Sequence, residues 1–355
     1  MSGILIFLLI LVPTIALCLL LRCGPEEGAP LAIFSLIALG YLLAITDLLA
    51  LAGPLLWGVL LLAVAVSVIG LIRKEAFRLQ LWSILPALLL FAALAMLLWW
   101  LCRGRAFVDW DDFSHWGSSI KYMYYSDELY TSLTSTDGFK SYPPATAVLE
   151  YLLLKGARMD FREDIVLYVN ALLAGSLLLL PLRVLRGKKR PVESVLLTFG
   201  LLTAVLAIFP NLFYRASVDG LLGLLAGGIL VAEFLPGKSR ASDWVLSLGC
   251  FVLALIKTSG AGLALLAALA ILAHRVAESG GFKKNVARGM VDGGSPVIGR
   301  CRGEIQLAAS SLGDGGDRAM EELGKHPDWT VEPSHRKGAV LPVHGDPAIR
   351  RKGLL

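Results

Sequence analysis

Residues 4–21 read ILIFLLILVPTIALCLLL, an apolar run without one charged side chain. About 20 such residues, rising 1.5 Å each as a helix, cross a hydrocarbon core of about 30 Å. The pattern recurs along the chain. Runs of this kind, parted by short polar breaks, fall near residues 3–21, 30–50, 52–72, 81–102, 165–184, 193–210, 219–235, 244–257 and 260–274, the last two being short. Composition agrees: 56% of residues are hydrophobic and 17% charged, which lies outside the soluble range. The short alternating segments of a transmembrane β-barrel are not visible. The expected fold is all-α, a polytopic membrane helical bundle of about nine transmembrane helices. N-terminal membrane helices occupy 1–102, one large extracytoplasmic loop with short interfacial helices 103–164, further membrane helices 165–275, and a polar tail 276–355.

Charge placement predicts orientation. The first run reads as a span and not as a signal peptide, because no Lys or Arg precedes it and Arg22-Cys23-Gly24-Pro25 is a poor small-residue cleavage site. The breaks at Arg73–Arg78, Arg186–Arg190 and Lys238–Arg240 are the most basic, and the positive-inside bias puts all three in the cytoplasm. Alternating crossings then carry residues 103–164, the Asn211–Asp219 break and the Lys257-Thr258-Ser259 turn to the outer face, where Trp99 and Trp100 fit the aromatic belt. Residues Trp244–His274 read either as a hairpin or as one long tilted helix; the basic residues that follow favour the hairpin. These basic breaks account for the formal charge of +5, so no nucleic-acid partner is implied; the lipid bilayer is the natural one. Cys18, Cys23, Cys102, Cys250 and Cys301 show no CxxC spacing and read as small hydrophobes.

After Ala277 the apolar texture stops. Two readings stay open: a disordered cytoplasmic tail, or an out-of-frame or truncated end. His326, His335 and His344 lie in this tail without Cys or a carboxylate cluster, which argues against a metal site there.

The long loop opens with WDDFSHW, Trp110–Trp116. Adjacent carboxylates at Asp111 and Asp112 supply a negative field and, where one is desolvated, a general base of raised pKa. The plainer alternative is that they cap the start of a loop helix. His115 lies three and four residues on and reaches either acid in a helix, orienting the imidazole or holding a divalent cation. Trp110, Phe113 and Trp116 interleave with these groups and place them at headgroup depth. Tyr142-Pro143-Pro144 opens a helix over Ala145–Leu154 that is too short to cross, hence an interfacial helix walling a cavity. Arg215 and Lys257 either snorkel or hold a phosphate. Asp219 cannot snorkel far; it heads a span whose Gly223 and Gly227 allow close helix packing.

Taken in order, WDDFSHWG (Trp110–Gly117), Lys121, YPP (Tyr142–Pro144), Tyr214 with Asp219, and Lys257 resemble the membrane-embedded glycosyltransferases of the GT-C superfamily. The likeness is strongest to bacterial members whose first large outer loop reads Asp-Glu-Phe-Ser-His-Trp, and it covers roughly Trp99–Gly262. Asp112 stands where those members more often carry Glu, and they continue with membrane helices where this chain turns polar. The resemblance implies a polyprenyl-phosphate-linked sugar as donor and a glycan, lipid or protein of the cell envelope as acceptor. Transfer would occur on the outer face of a bacterial cytoplasmic membrane. Carried over by position, Asp111 or Asp112 is the base, His115, Lys121 and Tyr142 shape the substrate site, Asp219 is a second acid, and Arg215 and Lys257 receive the donor phosphate. No particular cofactor is implied, and a divalent cation held by the acids stays open. A transporter or flippase of lipid-linked sugars would instead show ionisable residues near mid-membrane and internal repeats. A non-catalytic membrane protein is the third expectation, tied to a truncated chain.

Overall fold

A bilayer interior offers no water to the backbone, so each apolar run must satisfy its amides and carbonyls within one helix. The computed structural model describes residues 2–278 apart from 134, 136, 137 and 187–189, all within one unit, Met1–Ser279. Helices α1 (Ser2–Leu21), α2 (Pro25–Ile45), α3 (Ala52–Arg73) and α4 (Glu75–Cys102) precede the loop. The loop contains a π-helical turn, Asp112–Trp116, then α5 (Gly117–Ser126) and α6 (Ala145–Gly156). Helices α7 (Glu163–Leu178), α8 (Pro191–Ile208), α9 (Asp219–Phe234), α10 (Arg240–Ile256) and α11 (Thr258–Glu278) follow. There is no strand among the described residues. Among the described residues seven helices are long and apolar enough to cross a membrane: α1 to α4, α7 with its 3-10 extension Leu180–Leu185, α8 and α11. At 16 and 17 residues, α9 and α10 are shorter. The chain is a multi-pass membrane protein. The polar tail, with its histidines and its two readings, lies outside the described residues.

Two helices start earlier than hydropathy predicts, α2 at Pro25 instead of 30 and α4 at Glu75 instead of 81. For α2 the reason is local and then tertiary. Pro25 presets the first turn, and Glu26 and Glu27 suit the positive end of the helix dipole. Their charge is then met across the bundle. Arg183 Nη1 donates to Glu27 Oε1 at 3.3 Å, and Arg186 reaches Glu26 at 2.6 Å and Glu27 at 2.5 Å. Arg183 also donates to the carbonyls of Leu235 and Pro236, at 2.5 and 3.1 Å. Ser239 Oγ donates to Glu27 Oε2 at 2.9 Å while capping α10, and the Ser242 hydroxyl donates to the other Glu27 oxygen. This buried knot ties the head of α2, the tail of α7 and the α9–α10 turn into one end of the bundle.

The opposite end is fixed by a different set. Arg162 and Asp164, at the head of α7, bind Ser2 Oγ of α1 and the Gly104 amide beyond α4, at 3.2 and 2.9 Å. The loop is built on this end. Helices α10 and α11 form the expected hairpin, since Arg275 near the end of α11 reaches Asp243 near the start of α10 at 2.6 Å. Gly260 sits at the closest approach, where an added Cβ would stand 2.0 Å from the Leu253 carbonyl oxygen. Gly260→Ala is therefore expected to destabilise the protein by about 1–3 kcal/mol, the usual cost of overpacking, read as a lower unfolding temperature in detergent.

Two expectations about packing are corrected. Helix α6 does not lie at the surface of the bundle: every residue from Ala145 to Leu154 is buried, enclosed by α2, α3, α5 and α7. Its run is too short to cross, yet apolar residues dominate nearly all of its circumference, and such a helix is driven into the bundle. Gly223 and Gly227 do not mediate close packing, as a Cβ at either would meet nothing within 4 Å. They line an apolar groove of about 290 Å³ between α7, α8 and α9, while Gly228 makes the contact, against Leu177 and Leu180.

Candidate functional site

The π-helical turn carries the acidic pair in two different environments. A π turn widens the helix by one residue, so successive side chains diverge more than in an α-helix. Asp112 points inward and is fully buried, whereas Asp111 is exposed. The Ala216 amide donates to Asp112 Oδ1 at 2.8 Å, and the Asp109 amide donates to Oδ2 at 3.4 Å. Burial pushes the Asp112 carboxyl above its ordinary range, with the amides opposing that shift. The Asp111 amide donates to Asp109 Oδ1 at 3.2 Å, leaving its own carboxylate at the surface.

Segment 213–216 is pressed onto the start of the loop through further contacts. Arg215 forms an ion pair with Asp109 at 2.8 Å, and the Cys102 thiol donates to the Phe213 carbonyl at 3.5 Å. The Arg105 guanidinium lies 3.8 Å from the centre of the Tyr214 ring. Sequence reasoning missed Asp109 and Arg105. A signal existed for Asp109, the third carboxylate of the Asp109-Trp110-Asp111-Asp112 run; Arg105 gave none, because a cation beside a membrane helix is ordinary.

His115 follows the acids and turns into an aromatic cluster. Its ring lies 4.1 Å from Trp116, 4.7 Å from Phe139 and 4.6 Å from Tyr142, with Nδ1 3.4 Å from Ser119 Oγ. Tyr142 is held in turn by Tyr130, whose hydroxyl donates to the Tyr142 carbonyl at 2.9 Å. Trp110 and Phe113 are exposed on the outer surface of the turn. The structure thus joins Asp111, Asp112, His115 and Tyr142 on one turn and its neighbours, and brings Arg215 against that turn. Asp219 and Lys257 pair with each other at 2.6 Å, at the heads of α9 and α11. Lys121 projects from α5 toward Phe161, 5.7 Å from the ring centre.

Among the described residues one grouping has metal-ligand spacing: Glu233, His274 and Glu278, whose ligand atoms lie within 4.8 Å of one another. It is remote from the loop, and Glu233 is already neutralised by Lys238 and Arg275, at 2.9 and 3.1 Å. No such grouping forms around the π turn among the described residues.

Beneath the turn, α6 buries an acid that hydropathy passed over. Glu150 hydrogen-bonds with Asn170 of α7, and burial pushes its carboxyl up to about 8. Asn170 Oδ1 is buried without a hydrogen-bond partner. Because its folded pKa of about 8 exceeds the ordinary 4.5, Glu150 favours the folded state fully below pH 4.5 and loses that contribution as pH rises through 8. Glu150→Gln is expected to leave stability unchanged in acid and to raise it above pH 8, measured as unfolding temperature against pH.

No protein-family model, curated protein or solved structure matches this chain.

Proposed function

We propose that this chain is a membrane glycosyltransferase. It moves a sugar from a polyprenyl-phosphate donor to a cell-envelope acceptor on the extracytoplasmic side of a bacterial cytoplasmic membrane. The observation that carries this reading is the clamp between the π turn and segment 213–216. Buried Asp112 binds the Ala216 amide, Arg215 binds Asp109, and the exposed Asp111 carboxylate stands on the turn so clamped. Asp111 removes the proton from an acceptor hydroxyl, and the freed oxygen attacks the anomeric carbon. The bond from that carbon to the phosphate oxygen breaks, and polyprenyl phosphate leaves with the bonding pair, its charge met by Arg215. Asp112 is a positioning residue in this scheme. The His115 and Tyr142 rings pack against each other and support the turn, and Lys257, held by Asp219, adds a second cation at that end.

The membrane arrangement follows from the two ends of the bundle. Arg186, Lys238, Arg240 and Arg275 gather at the knotted end, and the positive-inside bias makes that end cytoplasmic. Helix α9 runs from the Asp219–Lys257 pair to the Leu235 carbonyl bound by Arg183, so it joins the two ends. Helix α10 returns beside it. Both are read as crossings, for nine spans in all.

One observation favours a second reading, a transporter or flippase of lipid-linked sugars: Glu150, hydrogen-bonded to Asn170, is an ionisable group inside the bundle, where carriers keep theirs. The two readings separate in liposomes loaded with a set of polyprenyl-phosphate sugars. A transferase releases polyprenyl phosphate when acceptor is supplied; a flippase moves the intact donor between leaflets and releases none. Failure to release it from any donor overturns the transferase reading.

A further inference from the structure

Between the loop, the tail of α4 and the head of α7 lies an open cleft of about 480 Å³, whose walls include Arg105, Lys121, Tyr125, Phe161, Arg162 and Glu163. Its acids are committed. Asp164 takes the Gly104 amide at 2.9 Å and the Arg162 guanidinium at 2.7 and 3.0 Å, and Glu163 Oε2 takes the Phe107 amide at 2.8 Å. Two of its cations are not. Arg105 is stacked on Tyr214 with Nε donating to the Leu101 carbonyl at 2.6 Å, and Lys121 stands over Phe161; among the described residues neither pairs with a carboxylate. Beside them Tyr125 and Phe161 hold their rings 6.4 Å apart at 39°, and Tyr125 is largely exposed. Uncommitted cations over aromatic faces, in a cleft open to water, match a ligand that is both ringed and anionic. A prenyl chain does not fit, because its burial needs apolar walls.

We propose that this cleft binds an anionic saccharide through Arg105 and Lys121, with a sugar ring on Tyr125 and Phe161, and that this saccharide is the acceptor. Only the acceptor role rests on the transferase reading; the binding does not. Arg105 lies on Tyr214, next to Arg215, so a chain bound in the cleft reaches the π turn within a few residues of protein.

The test uses the full-length protein in lipid nanodiscs, without any donor. Binding of tetragalacturonate and of neutral maltotetraose is measured by titration calorimetry. Tetragalacturonate is expected to bind at least about tenfold more tightly than maltotetraose, and Lys121→Gln and Arg105→Gln are each expected to weaken it about tenfold. Lys121 is exposed, so its substitution leaves the fold intact and decides the matter if Arg105→Gln proves unstable. Equal binding of the two oligosaccharides, or tetragalacturonate affinity unchanged in Lys121→Gln, overturns the proposal. Specific binding of tetragalacturonate with no release of polyprenyl phosphate from any donor keeps the saccharide site and removes the transferase reading alone.

Discussion

Asp111→Asn is expected to lower sugar transfer by about 10²- to 10⁴-fold, the contribution of a positioned general base, while leaving the unfolding temperature unchanged. The side chain is exposed, so the loss of its charge costs the fold nothing. Asp112→Asn is expected to behave differently. An amide has one acceptor oxygen, so either the Ala216 or the Asp109 amide loses its partner inside the protein. An orphaned buried donor costs about 1–3 kcal/mol, so activity and unfolding temperature fall together. Activity assays alongside thermal unfolding separate the two acids. If Asp112→Asn stays as stable as the parent protein, or Asp111→Asn is fully active, the division of roles is wrong.

Glu27→Ala is expected to destabilise the protein by about 3–5 kcal/mol, more than any substitution on the loop. Arg183 is 1% exposed and would be left charged without its carboxylate, while Ser239 and Ser242 would lose the acceptor that joins α10 to α2. The double variant Glu27→Leu/Arg183→Met, which removes both charges, is expected to recover a substantial part of that loss. Equilibrium unfolding in mixed micelles reads both. A double variant no better than the single would show that the knot stabilises through its hydrogen bonds to Ser239, Ser242, Leu235 and Pro236, and not through the ion pair.

Much of the fold was legible because lipid imposes one rule on every span. Uninterrupted apolar runs marked the helices, and Arg186 and Lys238, from two of the basic breaks, proved to lie at one end of the bundle. Charge inside helices was not legible. Glu26 and Glu27 read as a break, and only the arginines from some 160 residues away explain why the helix runs through them. The same applies to α6. Its length excluded a crossing, but amphipathicity alone could not say that all its faces meet protein; Glu150 needed Asn170 of α7 to be burial-competent. Within the site, Asp111, Asp112, His115 and Tyr142 stood out because polar residues are conspicuous in an apolar chain. Which of the two acids is buried was invisible, since it depends on the π turn and on the Ala216 amide, about a hundred residues downstream. Lys257 and Arg215 were both legible as cations, but not their partners Asp219 and Asp109.

The most direct test of the central claim compares right-side-out and inside-out vesicles containing the protein, with polyprenyl-phosphate sugars in the outer leaflet and acceptor outside. Released polyprenyl phosphate is counted for the parent chain and for Asp111→Asn. Release from right-side-out vesicles that falls by at least about 10²-fold in Asp111→Asn is the predicted result. Release that is equal in the two chains, release only in inside-out vesicles, or failure to release from any donor in either orientation would contradict it.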